Sequence, residues 1–159
     1  MADLHENKLH GRLAFPFTVY RGKLPEYIRS YPLHWHEEME LICVTEGTGI
    51  VTVQAERHRV HTGDIILIPP QTVHGIEQLD GMTMDYYNIL FRLSMLEGEA
   101  GNAYESYIQP LSRMLPQQLT QEDPLNQALA PHLGELIEHR KQTDSDYVLM
   151  IRAHLYAVL

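Results

Sequence analysis

The 159-residue chain has a single cysteine, a single tryptophan and few cations. One cysteine, Cys43, excludes an intramolecular disulfide, and its apolar setting marks a buried structural thiol rather than a nucleophile. No apolar run approaches the roughly 20 residues that span a bilayer, and the amino terminus lacks the basic-then-apolar pattern of a signal peptide. No membrane association is therefore expected, and a cytoplasmic location is. Twelve basic residues stand against 21 acidic ones, a formal net charge of −9, and Lys and Arg form no cluster. Because phosphate neutralisation supplies most nucleic-acid affinity, DNA binding by this chain alone is disfavoured. A Ser/His/Asp arrangement and a phosphate-cradling glycine loop are missing too.

What is there in quantity is hydrophobic residues, 44%, and histidine, ten of them. The first can bury one substantial core, with length for one compact domain plus an appendage. The second concentrates in one informative stretch, His34-Trp35-His36-Glu37-Glu38-Met39-Glu40-Leu41-Ile42-Cys43-Val44. Side chains alternate across a strand, so His34, His36 and Glu40 fall on the same face as Ile42 and Val44, pointing inward. Trp35 falls on the opposite face as a packing residue. His74, after the stretch Gly63 to Val73, can close a four-ligand set from a neighbouring strand. Imidazole and carboxylate donors suit one divalent transition metal, Zn, Ni, Fe or Mn.

The spacing His-x-His-x3-Glu-x6-Gly, met by His34, His36, Glu40 and Gly47, resembles the first cupin motif. A second motif is met in part by Gly63, Pro69 and His74. Gln71 stands where a glycine belongs, Gln78 where an asparagine belongs, and Ile28 where a glycine normally opens the first motif. Within the cupins, the two stretches resemble the amino-terminal sensor domain of AraC-family transcription regulators. The resemblance implies a mainly β, cupin-like double-stranded β-helix (small barrel) followed by carboxy-terminal α-helices. It also implies a small organic effector, such as a sugar or related metabolite, inside the barrel, and a homodimer formed through those helices. DNA would be reached only through a region missing from this chain.

Along the chain, Met1 to Leu13 reads as a flexible or strand-adding arm of unknown role. Phe15 to Tyr20 is a first strand candidate. After a connection from Gly22 to Pro32 come strand-like stretches at Glu38 to Thr45, Gly49 to Gln54, Arg57 to His61, Asp64 to Ile68 and Met82 to Leu93. Their short spacing implies antiparallel neighbours, and the run Ile65 to Ile68 a strand covered on both faces. A glycine and polar stretch from Glu97 to Asn102 ends the β region, dividing the chain into a sensor barrel, 1–100, and a helical linker and dimerisation segment, 101–159.

In that segment the sequence predicts a helix over Tyr104 to Leu115 and a second helix starting at Asp123-Pro124, which Pro131 should kink or divide. A last helix, Ser145 to Leu159, is capped at Asp144 and ends without a stop signal, as a chain that continues would. Its broad apolar surface, with Val148, Ile151, Leu155 and Leu159, packs on the β domain or on a second copy.

The leading functional expectation is an effector-sensing, non-catalytic domain using His34, His36, Glu40, His74, Tyr86 and Asn88. The alternative is a metal-dependent cupin enzyme, a dioxygenase or sugar isomerase, on the same three histidines and glutamate.

Overall fold

The computed structural model describes residues 4–98, 104–142 and 145–159. Its central element is a long strand, β3 (Met39–Val53), which belongs to two antiparallel sheets in turn. The first half of β3 lies between β7 (Met84–Phe91) and β5 (Ile65–Ile68). Beyond them lie β1 (Phe17–Leu24) on β7 and the short β8 (Gln117–Leu119) on β5. The second half lies between β4 (Glu56–His61) and β6 (His74–Gln78), with β2 (Ser30–His34) beyond β6. The strand changes sheets where its register on β7 shifts between Val44 and Glu46, just before Gly47. Gly47 has φ +86, and a Cβ there would sit 2.0 Å from the Thr83 carbonyl oxygen, so the bend requires glycine.

Period-two alternation then sorts the core. Ile42, Val44, Val51, Val53, Ile66, Ile68 and Ile76 fill the space between the sheets. Met39, Leu41, Cys43, Ile65 and Leu67 face the other way, against the helices. Both faces of the first sheet are therefore buried, as the unbroken Ile65 to Ile68 run implies. The result is the expected mainly β, cupin-like barrel followed by carboxy-terminal helices.

Helix α1 (Pro124–Glu138) starts where expected: the Asp123 carboxylate accepts from the Leu125 amide at 2.8 Å, and Pro124 opens the first turn. Leu129, Leu133 and Leu136 supply its buried face. Asn126 anchors it, donating to the Gly63 carbonyl at 2.8 Å and to that of Leu119 at 2.9 Å. Pro131 does not divide the helix in two; α1 runs through it, with Pro131 exposed. Helix α2 (Ser145–Val158) presses Tyr147, Ile151, Leu155 and Val158 onto the same core.

Several readings of the sequence are corrected. Ser30–His34, His74–Gln78 and Gln117–Leu119 are strands, although their polar and proline-bearing sequences carry no period-two signal. Tyr104 to Leu115 is two short helical turns, Tyr104–Ile108 and Gln109–Arg113, because Pro110 interrupts the amide ladder. Ile151 and Leu155 are both 0% exposed, so the centre of the apolar face of α2 is covered within its own chain, chiefly by α1 and the turn Leu93–Leu96. The glycine-rich break falls partly, and the cap at Asp144 wholly, outside the described residues. Among the described residues no helix is long and apolar enough to cross a membrane.

Candidate functional site

His34, His36, Glu40 and His74 do not share one strand. His34 ends β2, His36 lies in the connection to β3, Glu40 is the second residue of β3, and His74 opens β6. The fold brings them together between the sheets nonetheless, with one ligand atom from each lying within 4.8 Å of all the others. Three of the four are buried.

One carboxylate oxygen organises the group. Glu40 Oε2 lies 2.8 Å from His36 Nε2 and 2.9 Å from His74 Nε2, accepting a hydrogen bond from each ring. Burial alone would raise the Glu40 pKa, but the His74 and His36 rings outweigh it and hold the carboxyl well below its usual range. Burial opposes a charge on His74 also; the Glu40 carboxylate overcomes this and raises the imidazole above its usual value. The far nitrogens of His34 and His74 are held from outside, while that of His36 makes no hydrogen bond among the described residues. His34 Nδ1 donates to the Pro32 carbonyl at 2.9 Å and His74 Nδ1 to that of Thr72 at 2.8 Å. His36 Nδ1 lies 3.5 Å from the buried carboxylate of Glu38, itself bound by Arg92 at 2.9 Å.

This arrangement fits a first-row divalent cation. With Nδ1 protonated and anchored on His34 and His74, the Nε2 lone pairs can turn inward, and the anchors are those that normally orient metal-bound imidazoles. The protons that bridge Glu40 to His36 and His74 stand where a cation would serve. Three neutral imidazoles and one carboxylate suit Zn, Ni, Fe or Mn.

His34, His36 and Glu40 form one wall of a cavity of about 230 Å³, whereas His74, expected at the site, is buried and does not line it. Ile28, Ile76 and Leu90 give it an apolar lining. Tyr86 and Asn88, the remaining residues expected at the site, both reach it from β7. The Tyr86 ring packs where a Cβ on Gly22 would stand, 2.0 Å from its Cζ, and burial with the Glu40 charge pushes the phenol up to about 12. Asn88 Oδ1 is buried and has no hydrogen-bond partner among the described residues. Asn88 and Tyr86 thus converge with the histidine group on one space.

Four residues at this mouth were not legible as site residues: Glu6, His10, Tyr20 and Tyr31. The amino-terminal arm lies across the barrel, its backbone paired with Trp35 on both sides of His5, and the His5 ring stacks on the indole at 4.1 Å between centroids. Trp35 is thus a packing residue as expected, although it lies in the connection after β2 and not on a continuous strand. The arm carries Glu6 to the cavity, where Tyr31 donates to Oε1 at 2.5 Å and His10 Nε2 lies 3.1 Å from Oε2. His10, 2% exposed, also meets the Tyr20 hydroxyl at 3.2 Å. Tyr31 and His34 both face the cavity only because the pairing of β2 slips between them, which defeats a count by two.

The departures from the second cupin motif also have structural counterparts. Gln71 keeps the left-handed backbone of the glycine it replaces, φ +59, and its side chain donates to Glu37 at 3.0 Å. Gln78 donates to the Met82 carbonyl at 2.9 Å across the turn between β6 and β7.

Comparison with known proteins defines the class. Residues 16–159 match the AraC-like ligand binding domain model, and the chain belongs to that family. Over 109 residues it is 28% identical to an uncharacterized HTH-type transcriptional regulator, YdeC, of Bacillus subtilis, an alignment covering 68% of this chain and 37% of that protein. Over 77 residues it is 32% identical to the HTH-type transcriptional activator RhaR of Mannheimia succiniciproducens, covering 48% of this chain and 26% of that one. The chain thus spans between about a quarter and little more than a third of these relatives' length. Among solved structures, a cupin protein from Bacteroides fragilis aligns with a TM-score of 0.40 at 19% identity, over 51% of this chain and 83% of that one.

Proposed function

We propose that this chain is the effector-sensing part of a bacterial transcription regulator, binding a small organic molecule in the barrel and turning over no substrate. The observation that carries this is the cavity, where an apolar lining meets His34, His36, Glu40, Tyr86 and the unpartnered Asn88 oxygen, with His74 bonded to Glu40 behind them. Family membership supports the sensing role. The barrel, 1–100, holds the effector; the segment 101–159 passes the signal to a DNA-binding region and supports a homodimer. Binding shifts that segment only to the extent that the effector prefers one of its arrangements.

His34, His36, Glu40 and His74 would hold a divalent ion, which when bound supplies a Lewis-acidic contact for an effector oxygen. The same four donors favour a second reading, a metal-dependent cupin enzyme. A metabolite thermal-shift screen, run beside elemental analysis and turnover assays on zinc-, nickel-, iron- and manganese-loaded protein, tests both. Sensing predicts ligand stabilisation, of about 2.7 kcal/mol at a hundredfold excess over Kd, that His36→Ala removes. Product formation abolished by His36→Ala would establish the enzyme instead.

A further inference from the structure

The arm places a carboxylate inside the cavity, and the partners of that carboxylate are those a ligand would use. Glu6 comes from outside the barrel, yet its side chain is only 14% exposed. Oε1 accepts the Tyr31 hydroxyl, while Oε2 lies 3.6 Å from His34 Nε2, the nitrogen of that ring not anchored to the Pro32 carbonyl. Tyr31 and His34 both belong to β2 and stay with the barrel whatever the arm does. Otherwise the Glu6 side chain meets His10, which is part of the same arm, and the Glu6 amide donates to the Trp35 carbonyl at 2.9 Å.

Charge favours the same conclusion. Several imidazoles meet at this end of the cavity, and Glu40 is committed to two of them through one oxygen. With the arm lifted, the receiving face keeps the Tyr31 hydroxyl as a donor beside the His34 ring, and it has lost an anion. A neutral ligand would leave that loss uncompensated in a water-poor space, whereas a carboxylate restores it.

Resting on the sensing role proposed above, we infer that the effector is a small carboxylate whose carboxyl group takes the place of Glu6 between Tyr31 and His34. Glu6 is then an intramolecular competitor. Tethered by a short arm, it acts at an effective concentration in the millimolar range, and the effector's apparent affinity is reduced by the fraction of protein with Glu6 in place. Displacement also unstacks His5 from Trp35, giving a signal from the only tryptophan in the chain.

Acetate serves as the bare carboxylate probe and acetamide as its neutral match, both read by Trp35 emission and by thermal shift on the whole chain. In Glu6→Ala the position is vacated, and acetate is expected to bind at least tenfold more tightly than in wild type, acetamide no more tightly. Adding Tyr31→Phe to Glu6→Ala should remove most of that gain, which an acetate bound elsewhere, on an adventitious metal for instance, would keep. Equal acetate affinities in wild type and Glu6→Ala, or a gain that survives Tyr31→Phe, would overturn the assignment. Failure of the sensing role reads differently: in a wild-type screen neither carboxylates nor neutral sugars would stabilise the protein. Neutral sugars that bind where carboxylates do not would keep sensing and reject the carboxylate.

Discussion

Glu40 is a structural acceptor as well as a wall of the cavity. Its replacement by alanine leaves two buried imidazole N–H groups without their partner, which costs about 1–3 kcal/mol for each unsatisfied group. Glu40→Ala is therefore expected to lower the urea midpoint of the metal-free protein as well as to abolish divalent-metal binding, the two being read by denaturation and by elemental analysis. His10 offers a pH-dependent counterpart. Burial lowers its pKa more than the nearby Glu6 carboxylate raises it, so the folded state holds the ring neutral where the unfolded chain would protonate it. The unfolded state then binds more protons just below the ordinary histidine value of about 6.5, and stability is full above that pH and falls as pH drops through it. Glu6, whose carboxyl is held low by Tyr31 and His10 against burial, contributes a loss only below the ordinary glutamate range. His34 acts in the same direction as His10 and His74 in the opposite one. Melting curves between about pH 7.5 and 5.5 should accordingly show a shallower decline for His10→Gln than for wild type.

At the scale of elements, α2 and the loop before β6 behave differently from their sequence. Leu155, 0% exposed, is buried in the core shared with α1, so Leu155→Ala is expected to cost about 2–5 kcal/mol of chain stability rather than acting on assembly alone. Leu149, 68% exposed on the same helix, is the residue to use for assembly: Leu149→Asp should leave the melting temperature unchanged and lower the sedimentation coefficient at high concentration if α2 forms the dimer. Gln71 holds a glycine conformation at a cost of about 1 kcal/mol, and Gln71→Gly should be neutral or stabilising in thermal melts because the bond it gives up to Glu37 is exposed. These cases also mark how far the sequence could be read. The alternation in β3, the unbroken apolar run of β5 and the Asp123-Pro124 helix start carry local signals that the fold keeps. β2 and β6 do not, being polar and set by their partners. The four-donor group was legible through its spacing although the reason was not one continuous strand, and Glu6, His10 and Tyr31 were hidden because an irregular arm and a slipped register have no period to detect.

At the scale of the whole molecule, the cluster straddles regions of very different backbone protection. β3 is hydrogen-bonded along its length to strands on both sides, and its first half is covered on both faces, so its amides belong to the slowest-exchanging unit expected of this fold. Glu40 is built into that unit. His36 and Glu6 hang from a connection and a surface arm, tied by few backbone bonds. Deuterium uptake should therefore divide the cluster within itself, with the segment holding Glu40 exchanging only on global unfolding and the segments holding Glu6 and His36 opening many times before that. One half of the cavity is a fixed template, the other a part that must be re-formed at every opening, and the rate at which a molecule enters is set by the second half alone.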